Sequence, residues 1–467
     1  MVERKIELIS VDLPDFGYPE VQPEVSAAEY DERIVTARAR AGSAGLDFLM
    51  IYGDREHFAN VAYLTGHDPR FEEALLVIPS DGGRASLILG NEGMGHATLC
   101  DADVEHRLYQ PFGLMGQNWA DSPRIEPVLR DCGVTPGCRV GVAGWKYVGH
   151  QESDDPEHWF EVPAFLVDAL RTLTGDSALV TNATAMFMNP SSGLRLINSV
   201  DQLATFEFGA LYASQCVRNL IEGLEVGLTE LQAVERMHLN GLPLSAHANF
   251  STGPRARIAL PSPDNRVIGR GDPFFVGLGL RGGLTARAGF VIADESELPH
   301  EISDYLDRLV KPYYATVVAW YEAIGLGVTG GDIQSVVDEA LAGSGIRMAL
   351  NPGHLIHLEE WLVAPVYPGS TIPFKSGMLV QCDMIPVCEP QYHTTNAEDT
   401  IALADEDLRA QLAMEYPGVW ARIQARRAFM ADVLGIHLKS EVLPFSNTAA
   451  MLQPLGLSPD RVLAVAA

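Results

Sequence analysis

Three side chains late in the chain have the types and surroundings to bind a cation or move a proton: His354, Asp383 and Glu398. His354 follows the turn-forming pair Pro352-Gly353 and leads into Leu355-Ile356-His357. Asp383 closes the apolar run that begins at Gly377-Met378, and Glu398 opens the run Glu398-Asp399-Thr400-Ile401. A carboxylate in an apolar strand is costly unless a cation, a hydrogen-bond donor or a proton compensates it. One imidazole with two carboxylates suits two kinds of chemistry. The three can hold a single divalent ion and leave positions open for water. They can also work without metal, the histidine exchanging protons near neutral pH while the carboxylates hold a cationic group. A structural histidine and structural ion pairs are the plainer alternatives.

Other candidates surround this set. His357 lies close to His354, and the two share a face only if the segment is helical. His247, in Ser245-Ala246-His247-Ala248-Asn249-Phe250, alternates like a strand residue facing the site. Both are candidate acid/base groups together with His354 and Glu398. Glu360, in Glu359-Glu360, and His393, just ahead of Glu398, are candidate substrate contacts.

The elements that must position these residues can be read from periodicity. Apolar spacing at Tyr30, Ile34, Ala37 and Ala41 predicts a helix over 28–44, and Phe48-Leu49-Met50-Ile51-Tyr52 predicts a buried strand. Further strands are expected at 74–79, 85–89 and 139–143, with a helix at 164–173. Alternating strand and helix predict an α/β domain with a covered mixed sheet. Turn formers at Asn189-Pro190-Ser191-Ser192-Gly193 mark a boundary, so residues 1–190 form one domain and 191–467 another. The first 28 or so residues read as an extended arm. A long amphipathic helix is expected from Ser199 to Leu224, and Thr229 should cap the next. Strands follow near 247–252, 273–280 and 286–292, helices at 299–324 and 330–343, strands at 377–385 and 397–403, and a helical tail from Arg409 to Leu434.

Composition narrows the class. The chain has 467 residues, 47% hydrophobic and 20% charged, an ordinary balance for a large buried core. Its apolar runs are far shorter than the ~20 residues a bilayer span needs. Met1-Val2-Glu3-Arg4-Lys5 leads into mixed polar sequence, so no secretory leader is expected. Six scattered cysteines suggest neither a disulfide scaffold nor a thiolate metal site, and a cytoplasmic protein is expected. A net charge of −28, from 33 basic and 61 acidic residues, disfavours nucleic-acid and anionic-membrane partners and leaves a small, even cationic, substrate open.

The order of motifs resembles the creatinase, prolidase and proline-aminopeptidase family. Asn60-Val61-Ala62-Tyr63-Leu64-Thr65-Gly66 looks like that family's first-domain strand and turn, and Leu194-Arg195-Leu196-Ile197-Asn198-Ser199 like its entry to the catalytic domain. Gly227-Leu228-Thr229-Glu230, Gly271-Asp272, Gly353-His354, Gly377-Met378 and Glu398-Asp399-Thr400 follow in the family's order. The resemblance implies an α/β (α+β) chain: a creatinase-like N-terminal domain followed by a pita-bread domain.

It also implies a site of two aspartates, one histidine and two glutamates that binds two metal ions. Here the first aspartate position falls at Gly277, and the second lies near Leu284-Thr285-Ala286-Arg287-Ala288, which holds no acid. His354 matches the metal histidine, Asp383 stands where a glutamate is usual, and Glu398 matches the last glutamate. The family's other two histidines fall at Trp361 and Leu260. One divalent ion on His354, Asp383 and Glu398 is thus one option, and metal-free chemistry of the creatinase kind the other. Asp383, Arg281, Arg287, Glu360, His393 and Arg70 would then meet substrate. Arg287 would put its charge where a metal's charge would be, unless it pairs with Asp383 or Glu398. The resemblance implies a hydrolase of a C–N bond in a small substrate. A non-catalytic binding protein and a lyase are the alternatives, and a homodimer is expected.

Overall fold

The computed structural model describes residues 4–117, 119 and 122–466. Met1-Val2-Glu3, on which the reading of the N-terminus partly rests, lie outside the described residues. The chain divides into two compact units, Val25–Leu196 and Ile197–Ala467, the latter joined by Met1–Glu24. Among the described residues no helix is long and apolar enough to cross a membrane.

The arm is extended, as its prolines demand, and its strand β1 (Ile6–Ser10) belongs with the second unit. The Val25–Leu196 unit is built on a mixed sheet of β2 (Phe48–Gly53), β3 (Ala74–Pro79), β4 (Ser86–Leu89), β5 (Glu105–Leu108), β6 (Val140–Ala143) and β7 (Val180–Asn182). Its order is β5-β4-β3-β2-β6-β7, antiparallel at β2–β3 and β3–β4 and parallel elsewhere. Every residue of β2 and β3 is buried, which is why both read as continuous apolar runs. The segment 60–66, expected as a strand and turn, is instead the helix Ala59–Thr65, closed by Gly66 at φ 72°. Its valine, tyrosine and threonine favour a strand locally. Tertiary contacts override that preference: Asn60 donates to Gly144 O at 2.7 Å and Tyr63 to Leu194 O at 3.0 Å.

The second unit is a curled antiparallel sheet. Its strands are β8 (Leu244–Thr252), β9 (Pro273–Leu280), β10 (Gly283–Phe290), then, beyond the short β11 (Arg347–Met348), β12 (His354–Leu355) and β13 (Leu379–Cys382). After β14 (Pro386–Val387), which pairs with β11, come β15 (Asn396–Leu403), β16 (Val442–Pro444) and β17 (Arg461–Val465). The sheet runs β12-β13-β15-β10-β9-β8, with β16 on β15, while β17 pairs with β1. The long helix Val200–Glu222 starts at an Ser199 cap and packs on β9 and β10. Thr229 forms a capping box with Gln232, as its position predicts. The helical tail is two helices, Glu406–Glu415 and Pro417–Asp432, because Pro417 cannot donate to continue the first. The stretch 299–324 likewise resolves into a 3-10 turn, a π-turn and the helix Lys311–Ala323.

Two features hold the sheet to its surroundings. At Gly209 the long helix approaches the β9–β10 turn so closely that a Cβ would overlap the carbonyl of Arg281, and Gly283 lies as tightly on Ala210. The second is a fully buried ion pair. Arg287, on β10, donates to Asp399 Oδ2 on β15 at 2.7 Å, to Glu398 O at 2.9 Å and to Met451 O at 2.7 Å. Asp399 in turn accepts from Ser446, from Thr448 at 2.7 Å and from the Ala450 N–H at 2.9 Å. This network pins the segment 446–451, where Ala449 and Ala450 have φ 30° and 61°.

Helix propensity favours Gly209→Ala by up to about 1 kcal/mol. The overlap reverses that sign, and a loss of about 1–3 kcal/mol is expected in denaturant unfolding. Arg287→Met should cost about 3–5 kcal/mol, because it leaves Asp399 charged and buried without its partner. Wild-type stability of either variant would contradict the packing described.

Candidate active site

Register lines up the site. Gly277 on β9 faces Ala286 on β10, and Ala286 faces Glu398 on β15. On the far side of β9, Asn249 of β8 faces Gly277. One cross-strand row therefore reads Asn249, Gly277, Ala286, Glu398. The two row positions beside Glu398 carry a hydrogen and a methyl group. A Cβ at Gly277 would lie 3.5 Å from the Ala286 methyl, so the two share a face. Side-chain alternation sends Asp399 and Arg287 to the opposite face, where they neutralise each other.

His354 enters from β12. Its predecessor Gly353 has φ 115°, and a Cβ there would crowd Gln381 O and the Trp320 ring. Trp320 donates to Pro352 O at 2.9 Å and fixes the same turn. His354 Nδ1 lies 3.3 Å from Leu355 O. With Nδ1 donating there, Nε2 presents its lone pair to Glu360 Oε1 at 3.4 Å and Asp383 Oδ2 at 3.8 Å. A lone pair facing two carboxylates repels them unless a cation or a proton lies between. An imidazole whose other N–H is held by a carbonyl is also the usual posture of a metal ligand.

Among the described residues, one group of three or more such side chains can hold an ion. His354, Glu360 and Glu398 have donor atoms all within 4.8 Å of one another. Glu360, read from sequence as a substrate contact, thus joins the histidine. Asp383, expected as the third ligand, stands beside this trio. Gln381 donates to Glu398 Oε1 at 3.2 Å and accepts from Thr400 at 2.7 Å, which orients the glutamate.

All four groups are nearly buried, at 7–9% exposure. Burial pushes His354 down to about 4 and Asp383 up to about 7. Burial, and then the neighbouring carboxylates, raise Glu360 and Glu398 well above the usual range. Glu360 Oε2 and Asp383 Oδ1 have no hydrogen-bond partner among the described residues. The cluster is short of positive charge.

The other candidates are not part of the trio. His357 is fully buried with its ring edge-on to Phe206, centroids 4.9 Å apart. His247 is exposed, in a bulged stretch of β8 between Ala246 and Asn249, so Asn249 takes the row position expected of it. Arg287 is spent on Asp399 and cannot serve substrate. Arg281 sits in the β9–β10 turn against Gly209. His393, at φ 57°, packs near the Phe290 ring at 6.0 Å. Arg70 belongs to the Val25–Leu196 unit, where its guanidinium lies 4.9 Å from the Phe58 ring centre. Leu260 and Trp361 are 69% and 64% exposed. Asn249 and Gln381 went unread in the sequence. Gln381 was legible, since strand alternation puts it on the face of Asp383.

No family model matches the chain, and no curated protein matches it. Its structure is nevertheless similar to several solved ones. A prolidase from Pyrococcus horikoshii is 15% identical, with TM-score 0.60 over 80% of this chain and 95% of that one. Dipeptidase PepE from Mycobacterium ulcerans is 19% identical, with TM-score 0.59 over 82% and 95%. An X-Pro aminopeptidase from Thermotoga maritima is 14% identical, with TM-score 0.59 over 80% and 95%. At such identities the likeness shows the fold: a mixed-sheet N-terminal unit followed by the pita-bread architecture of prolidase-like structures.

Proposed function

We propose that this chain hydrolyses a C–N bond, amide or amidine, in a small substrate, with one divalent cation held by His354, Glu360 and Glu398. The observation that carries this reading is the convergence of those three donor atoms within 4.8 Å, in a buried cluster short of positive charge. When bound, such an ion supplies Lewis-acid polarisation of the scissile group. The residues present fit one ion. Two glutamates balance its charge, and a second ion would need oxygen donors where Gly277 and Ala286 stand.

The remaining groups divide the work. Gln381 holds Glu398 in place, and the Leu355 carbonyl holds the His354 ring. Asp383, outside the trio and with Oδ1 unpartnered, is the proton carrier. Water oxygen bonds to the carbon, Asp383 takes a proton from that water, the C–N bond breaks, and the proton passes to the leaving nitrogen. A second reading, a binding protein without turnover, is favoured by the missing carboxylates at Gly277 and Ala286. It shares the cation-seeking cluster but not the reaction.

Elemental analysis of protein purified without added metal should find about one equivalent per chain. His354→Ala should lose it, with affinity down more than about 100-fold, beyond the loss of a merely supporting group. Absence of metal in the wild type would sink the metal-dependent reading. Turnover of amides or amidines by wild type but not by Asp383→Asn, with metal retained, separates the enzyme from the binding protein. The double variant Gly277→Asp, Ala286→Asp should retain one equivalent more than wild type, since both positions face Glu398's side of the sheet.

A further inference from the structure

We propose that the Val25–Leu196 unit carries a separate transition-metal site on His67 and His96. The two imidazole rings stand 5.1 Å apart between centroids, at 52° to each other. Two imidazoles bound at about 2.0–2.1 Å to one tetrahedral ion bring their ring centres to about 5 Å. His67 is 3% exposed, and its Nδ1 has no hydrogen-bond partner among the described residues. An unpartnered ring nitrogen is unusual in a buried histidine, and a borderline-soft cation is what imidazole prefers.

Local structure fixes the backbone that carries both rings. Gly66 closes the Ala59–Thr65 helix in the left-handed conformation, and the His67 N–H then donates to Thr65 Oγ1 at 3.1 Å. His96 ends the short helix Asn91–His96. Both line a cavity of about 290 Å³ whose other walls include Asp68, Glu72 and Glu92. Glu72 is anchored there, accepting from the N–H groups of Glu92 at 2.8 Å and Gly93 at 2.7 Å. The cavity therefore offers two imidazole rings among acidic side chains. Water ligands can complete a four-coordinate ion there. A histidine pair tilted in this way with no ligand would leave the His67 nitrogen unexplained. With only two protein nitrogens the site binds more weakly than the His354 cluster, so it fills when metal is added.

Calorimetric titration of metal-stripped full chain with Zn²⁺ tests this, comparing wild type, His96→Ala and His354→Ala. His96 is exposed, so its replacement leaves the fold in place, and an unchanged thermal midpoint verifies that. His96→Ala should lose one equivalent, or bind it at least about 10-fold more weakly. His354→Ala should keep that equivalent, and His67→Gln should lose it. A His96→Ala chain that binds Zn²⁺ with wild-type stoichiometry and affinity overturns the proposal. So does a His354→Ala chain that binds none. The His354 centre is judged separately, by the metal content of protein purified without added metal.

Discussion

The structure of the second unit turns on charge buried at two neighbouring residues of one strand. Glu398 and Asp399 are adjacent on β15, so side-chain alternation sends them to opposite faces of the sheet. On one face Arg287 meets Asp399, and three further donors from 446–450 satisfy its oxygens. A buried pair is tolerable only when its remaining hydrogen-bonding capacity is filled in this way. On the other face the Glu398 carboxyl meets Gln381 and other acidic groups instead. The same strand is thus a structural anchor on one side and carries a buried carboxyl without a charged partner of opposite sign on the other, among the described residues.

That asymmetry explains the electrostatics of the site. Glu360, Asp383 and Glu398 converge around one imidazole whose proton, with Nδ1 donating to Leu355 O, lies on the wrong side to help them. Burial without compensation is what raises the three carboxyl groups and depresses the histidine. Gly277 and Ala286 set the size of the solution. They leave the row floor bare beside Glu398, and the donor atoms that remain together are those of His354, Glu360 and Glu398.

Much of the scaffold was legible. The long helix is expected at 199–224 and lies at Val200–Glu222, and β9 is expected and found over 273–280. The fully buried strands β2 and β3 declare themselves as apolar runs between turn formers. Errors fall where local preference and tertiary contact disagree. The helix Ala59–Thr65 is built from strand-favouring residues, and Pro417 divides a tail that periodicity alone reads as continuous. His247 shows a subtler failure. Its alternation is strand-like, but a bulge between Ala246 and Asn249 breaks the period and turns the row position over to Asn249.

The sequence by itself determined the inventory of the site: a histidine behind a glycine turn, an acid ending one apolar run and another opening the next, and no acid where Gly277 and Ala286 stand. Those are properties of residue type and local spacing, which the chain carries whatever its fold. Tertiary structure alone decided which of them meet. Ala286 lies beside Glu398 only because β10 and β15, more than a hundred residues apart, pair in that register. Glu360 reaches His354 through the path of a loop, which no periodicity describes. Arg287 found Asp399 instead of Glu398 because a one-residue step along a strand changes the face. Register and loop path are long-range quantities, fixed by the packing of the whole sheet, and so they could be read only in the folded chain.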